Sequence, residues 1–166
     1  MDGIKARTGI IGCGTMGSQL ALALQAKGVD VLVKVRSTAN IDKYRAAIKQ
    51  HCDNILWKRY LGKQFTPDEV DKIKFSPKIE DFKDVELIIE TTSENYEVKY
   101  SVIEELNILN NPDLIVATNT SGLLISKLTS RYKYPNNFFG LHFFNPLSAS
   151  KLVEITNPDN HSVEQL

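Results

Sequence analysis

Short apolar runs alternate along the chain with segments whose apolar residues recur at helical spacing, the pattern of a sheet covered by helices. An apolar run over residues 8–11 precedes a segment over 15–27 in which Met16, Leu20, Ala23 and Leu24 share one face, with Gly28 just beyond it as a stop. Val31-Leu32-Val33-Lys34-Val35 is the next β-rich run, so strand, helix and strand fall within about 30 residues, the size of a βαβ unit. One long helix is expected over 40–63, with Ile41, Tyr44, Ile48, Cys52, Ile55 and Trp57 on its inner side. Thr66-Pro67-Asp68-Glu69 combines a capping threonine, a proline at the first helical position and a glutamate that completes a capping box. A short helix to about residue 74 is predicted there, with Phe75, Ser76 and Pro77 leading into an acidic loop. Further strands are expected over 85–89, 114–117, 138–143 and 152–155. Helices are expected over 96–109, with Val98, Val102, Ile103, Leu106 and Leu109 inward, and over 123–128.

Between the first strand and the first helix lies Gly12-Cys13-Gly14-Thr15-Met16-Gly17. At this spacing Gly12 lets the strand turn sharply, Gly14 lets backbone amides approach a pyrophosphate, and Gly17 lets the helix pack against the sheet. The helix N-terminus then faces an anion with unpaired amides and the positive end of its dipole. A glycine cluster alone also marks ordinary turns, but its place inside a strand-helix-strand unit makes it a dinucleotide-binding turn. The expected fold is α/β, a Rossmann-type doubly wound sheet, mainly parallel, with Gly12, Gly14, Thr15, Met16 and Gly17 at the cofactor.

At 166 residues and 42% hydrophobic content the chain has the length for one sizeable core, so one dinucleotide-binding domain over 1–166 is expected. Residues 157–166 are expected to lead toward a further domain, with Val163-Glu164-Gln165-Leu166 resembling the beginning of an unfinished helix. Lys and Arg balance Asp and Glu at 20 each, which removes the basic field expected of a nucleic-acid or membrane-surface binder and favours a small-molecule partner. Cys13 and Cys52 lack any ligand spacing, so neither metal nor disulfide is implied. With no run of about 18 apolar residues and no leader pattern over 1–7, a cytoplasmic location is the expectation.

An NAD site usually places a carboxylate on the adenosine ribose about 20 residues beyond the glycines. Here the sequence reads Val35-Arg36-Ser37. Without that carboxylate a 2′-phosphate is not repelled, and Arg36 with the Ser37 hydroxyl could bind one, which raises NADP as a cofactor beside NAD. Arg36 as a solvated surface residue is the equal alternative. The basic run over 57–63 could receive substrate phosphates, although a solvated helix face is the commoner outcome.

His142 and Glu154 are the candidate proton relay: a histidine can take a proton from an alcohol while hydride leaves the same carbon, and a carboxylate can orient the imidazole. By itself His142 is more often a strand histidine satisfied by backbone, and Glu154 a solvent-facing strand residue. Ser121 could cap the helix that follows it, and Asn145 could start the Asn-Pro turn.

Taken together, Asn119-Thr120-Ser121, Gly140-Leu141-His142-Phe143-Phe144-Asn145-Pro146 and Lys151-Leu152-Val153-Glu154 resemble the 3-hydroxyacyl-CoA dehydrogenase family, and the resemblance runs from the glycine turn to Glu154. It implies that His142 is the base toward a 3-hydroxyl, Glu154 its partner, and Ser121 and Asn145 the residues that bind the reacting oxygen or position the acyl chain. It places Glu94, Lys99 and Asn119 along the cofactor, with NAD as the family's usual dinucleotide. The implied reaction is hydride transfer between NAD(P) and a 3-hydroxyacyl thioester, acyl-CoA first. An acyl-carrier-protein-bound group or a sugar acid is the alternative substrate, and a nucleotide-binding module without turnover is the alternative from another class. Three departures bear on this: Val35 replaces the ribose-binding aspartate, Thr91-Thr92-Ser93 replaces a small and apolar stretch, and Gly122 stands where a second serine is common. The family's helical C-terminal domain, which supplies homodimer contacts and part of the acyl pocket, is absent from these 166 residues, so this part alone is expected to bind nucleotide but turn over poorly.

Overall fold

The computed structural model describes residues 7–62 and 64–157. Seven strands form one sheet: β1 (Arg7–Ile11), β2 (Asp30–Lys34), β3 (Lys74–Ser76), β4 (Leu87–Glu90), β5 (Ile115–Thr118), β6 (Phe138–Phe143) and β7 (Val153–Thr156), in the order β3-β2-β1-β4-β5-β6-β7. The pairings from β3 to β6 are parallel, and β7 returns antiparallel on β6. This is the Rossmann arrangement expected from the alternating pattern.

Adjacent residues of the central strands feed opposite layers, which is why those strands are apolar without interruption. Ile10, Val31, Val33 and Ile89 pack with Leu20, Ala21 and Leu22 of α1 (Thr15–Ala26), whereas Ile11, Leu32 and Ile88 pack with Val102, Ile103 and Leu106 on the far side. The second group lies on α5 (Tyr96–Ile108), whose first turn is capped by the Asn95 side chain accepting from the Val98 amide.

The expected helix over 40–63 is two helices, α2 (Ile41–Lys49) and α3 (Ile55–Leu61). The break lies at Asn54, whose side chain accepts from the Leu56 amide and starts a second helix. Ile55 is consequently 69% exposed instead of inward, while Trp57 and Leu61 are buried. The capping box at Thr66 forms as expected, with Glu69 accepting from the Thr66 amide. The helix it starts, α4 (Pro67–Asp71), ends three residues earlier than the pattern suggested, because Lys74-Phe75-Ser76 pairs with β2 as an edge strand. A further short helix, α6 (Ile125–Thr129), follows β5. The expectations for residues 1–6, for Lys63 and for the segment after Asn157 lie outside the described residues.

Candidate functional site

Sheet order reverses between β2-β1 and β4-β5, and at such a switch the loops leaving two neighbouring strands diverge and open a crevice at their carboxyl ends. The glycine turn leaves β1 there and the loop over 91–95 leaves β4. A cavity of about 700 Å³ lies between them, walled by Gly12, Cys13 and Gly14, by Val35 and Arg36 after β2, by Thr91, Thr92 and Ser93, and by one face of α5.

The turn has the shape that a pyrophosphate needs. Gly12 has φ +96°, a conformation that favours glycine. A Cβ on Gly17 would lie 2.0 Å from the Gly12 carbonyl oxygen, so α1 approaches the turn as closely as backbone allows. A Cβ on Gly14 would meet nothing within 4 Å. The cradle at the α1 N-terminus therefore stays open for a bound group, and the glycine turn fits the dinucleotide that its motif implies. Thr15 is exposed and Met16 half-buried in the first turn of α1, with Gly17 buried beneath them. Burial pushes the Cys13 thiol up to about 12, which favours its protonated form in the cavity wall.

The departures at 91 and 92 are explained by what they bind. The Thr91 hydroxyl donates to the Ile11 and Gly12 carbonyls at 3.1 and 2.9 Å, tying the glycine turn to β4. Thr92 donates from its amide and its hydroxyl to Glu90 at 2.6 and 2.5 Å. Glu90 is a buried carboxylate that also accepts from Thr118 at 2.6 Å and from Lys99 Nζ at 2.8 Å. Lys99, 1% exposed, thus holds two adjacent loops through Glu90, and its Nζ lies 3.8 Å from Glu94.

Glu94 reaches across to the loop after β5. One carboxylate oxygen accepts from Thr120 Oγ1 at 2.5 Å and from the amides of Ser121 and Gly122 at 2.9 Å each. Burial acts to raise its pKa, but the Thr120 hydroxyl, the Gly122 and Ser121 amides and the Lys99 charge together outweigh this and hold the carboxyl below its usual range. Ser121 is exposed, with its hydroxyl 3.4 Å from Glu94, and it does not cap α6, whose N-cap is Leu124.

A second cavity, about 410 Å³, has this 120–122 loop on one side and the β6-β7 hairpin on the other. His142 and Glu154 are cross-strand partners in the hairpin register, which puts both side chains on one face. His142 Nδ1 lies 3.2 Å from Glu154 Oε2, and both residues line the cavity. The His142 ring is mostly buried and packs 4.5 Å from the Phe144 ring, whereas Glu154 is exposed. Asn145 sits at the start of the next loop, before a cis peptide to Pro146. Its Oδ1 accepts from Gln19 Nε2 at 3.1 Å, and Gln19 Oε1 accepts from the Leu147 amide at 2.8 Å. Asn119 Oδ1 accepts from the Phe143 amide at 2.8 Å, which fixes the strand carrying His142 to the end of β5.

At the β2 end, Val35 is buried in the core and its amide donates to the Ser76 carbonyl. Arg36 is exposed in the cavity wall, and Ser37 Oγ accepts from the Ala39 amide in a local turn. Lys58 and Arg59, from the basic run, are exposed on α3. Among the described residues no group of His, Cys, Asp and Glu could hold a metal ion, and no helix is long and apolar enough to cross a membrane.

The sequence places Glu90 at the ligand-binding end of its strand without a role of its own, and gives Gln19 none. Each leaves a trace there: Glu90 ends an apolar strand run nine residues before Lys99, and Gln19 interrupts an otherwise small and apolar helix face.

Residues 7–165 match the family described as 3-hydroxyacyl-CoA dehydrogenase, NAD binding domain. The chain is 36% identical to 3-hydroxybutyryl-CoA dehydrogenase of Clostridioides difficile over 146 residues, 88% of this chain and 52% of that protein. It is 30% identical to 3-hydroxybutyryl-CoA dehydrogenase of Bradyrhizobium diazoefficiens over 155 residues, 93% of this chain and 53% of that one. Among solved structures, (S)-3-hydroxybutyryl-CoA dehydrogenase from Ralstonia eutropha superposes with a TM-score of 0.83 at 29% identity, covering 96% of this chain and 56% of the other. The chain spans about half the length of these relatives. Glycine turn, sheet order and sequence agree with one another, and the chain belongs to the 3-hydroxyacyl-CoA dehydrogenase family as its NAD-binding domain.

Proposed function

We propose that this chain is the cofactor half of a 3-hydroxyacyl-CoA dehydrogenase in which His142 and Glu154 relay the proton. The observation that carries the reading is the 3.2 Å contact between His142 Nδ1 and Glu154 Oε2 in the wall of a cavity that Ser121 also lines. With Nδ1 held by Glu154, Nε2 is the ring nitrogen left to take the 3-hydroxyl proton, and Glu154 balances the charge that then forms. The dinucleotide supplies the hydride acceptor; the protein positions it and moves the proton. Ser121 contributes a hydroxyl from the opposite wall. Asn145 is not among the residues lining that cavity; with its Oδ1 engaged by Gln19, its amide nitrogen is the donor the family resemblance assigns to the reacting oxygen. Glu94 and Lys99 act on the nicotinamide end by holding the loops over 91–93 and 120–122 in register with each other.

Acyl-CoA is the proposed substrate class, following the names of the relatives. The test is His142→Ala in the full-length protein, assayed by reduction of acetoacetyl-CoA and by direct NADH binding. Turnover falls by at least 10²-fold, the range for losing a general base, while NADH binding is kept. Unchanged turnover removes His142 as the base. In the wild type, activity only on carrier-bound hydroxyacyl groups replaces the CoA substrate, and NADH binding without turnover on any thioester supports a non-catalytic module.

A second reading of the cofactor, NADP, is favoured by one observation: Arg36 is exposed in the wall of the larger cavity with no ion-pair partner among the described residues. Selective loss of NADPH affinity in Arg36→Ala is its test.

A further inference from the structure

The end of β2, where a carboxylate would ordinarily accept the adenosine 2′-hydroxyl, offers only the buried Val35 side chain. A carboxylate nonetheless lines the same cavity, and it comes from the opposite wall. Glu105, in the third turn of α5, makes an ion pair with Lys34, the last residue of β2, at 2.7 Å, and both line the cavity with Arg36. The Lys34 side chain is 14% exposed and that of Glu105 is 41% exposed, so the lysine is enclosed and the glutamate is the accessible partner.

From this pair we infer that Glu105, anchored by Lys34, is the specificity residue at the adenosine end, and that it selects NAD over NADP. The inference rests on the dinucleotide reading of the larger cavity. A 2′-phosphate brings nearly two negative charges and is best met by two cations with free donors. Arg36 supplies one. Lys34, the other cation at this end of the cavity, is committed to Glu105, so a phosphate there would face a half-exposed carboxylate and would have to break an enclosed ion pair to gain its second partner. A 2′-hydroxyl has neither cost, because it can donate to a carboxylate. The acceptor lost at position 35 is thereby replaced from helix α5 rather than from the strand. The remaining charged group on this wall, Glu97 in the first turn of α5, adds to the repulsion of a phosphate.

The experiment is separate titration of NADH and NADPH into the full-length protein by fluorescence or calorimetry, for the wild type, Glu105→Gln and Lys34→Gln. The wild type binds NADH more tightly. Glu105→Gln, which keeps the side-chain shape, releases Lys34 and moves the NADPH-to-NADH affinity ratio at least threefold toward NADPH. Lys34→Gln leaves the carboxylate and moves the ratio the other way. A ratio that moves less than threefold in Glu105→Gln, or a wild type that prefers NADPH, overturns the inference while leaving the dinucleotide reading intact. A wild type that binds neither cofactor overturns both.

Discussion

Replacing Lys99 by methionine tests whether the buried pair beneath the two cavities is structural. Glu90 and Lys99 are 2% and 1% exposed, and Glu90 also accepts hydrogen bonds from the Thr92 amide, the Thr92 hydroxyl and the Thr118 hydroxyl. In Lys99→Met those three donors persist but the carboxylate loses its counter-charge inside the protein, a change that costs about 3–5 kcal/mol when one partner of a buried pair is removed. For a chain of this size that is a fall in melting temperature of about 6–20 °C. The double variant Glu90→Gln with Lys99→Met removes both charges and keeps the volume, so it recovers a large part of the loss. Thermal and urea unfolding followed by circular dichroism measure the change, with an unaltered urea m-value indicating that stability alone has moved. NADH affinity is read in parallel. If Lys99→Met melts within about 2 °C of the wild type, a change of less than about 1 kcal/mol, the pair is not holding the loops. If it does so while NADH affinity drops, Lys99 acts on the cofactor directly and the network argument fails.

Gly17→Ala places a methyl carbon 2.0 Å from the Gly12 carbonyl oxygen and 2.7 Å from Thr91 Oγ1. The turn must move, so the variant loses about 1–3 kcal/mol in urea unfolding and its NADH binding as well. Gly14→Ala, whose Cβ meets nothing within 4 Å, unfolds like the wild type and loses only NADH affinity, because its methyl enters the space proposed for the pyrophosphate. The Glu94 carboxyl lies below its usual range in the folded protein, so its stabilisation of the 120–122 loop is complete above the unfolded-state value and disappears as pH falls through the lower folded-state value. Hydrogen exchange at the Ser121 and Gly122 amides, corrected for intrinsic rates, therefore loses protection on that acid limb in the wild type; in Glu94→Gln protection is weaker and independent of pH there.

What could be read from the sequence was what one segment decides alone. The glycine turn, the Thr66 capping box and the β6 span each depend on residues within a few positions, and all three lie where the pattern put them. The failures were competitions between segments. Apolar spacing over 40–63 suits one helix, yet the Asn54 cap starts another, and no local count shows which wins. Phe75 and Ser76 look like loop until β2 offers an open edge to pair with. The site divides along the same line. The types of His142 and Glu154 suggested a relay, but their proximity depends on a hairpin register twelve residues apart. The Glu90–Lys99 and Lys34–Glu105 pairs were harder still, because each joins a strand to α5, and a charged residue on a helix carries no mark of the strand residue it will meet. Position 35 makes the point most sharply: the missing carboxylate is legible as an absence, whereas Glu105, 70 residues further along, becomes a candidate replacement only once α5 is laid beside the end of β2.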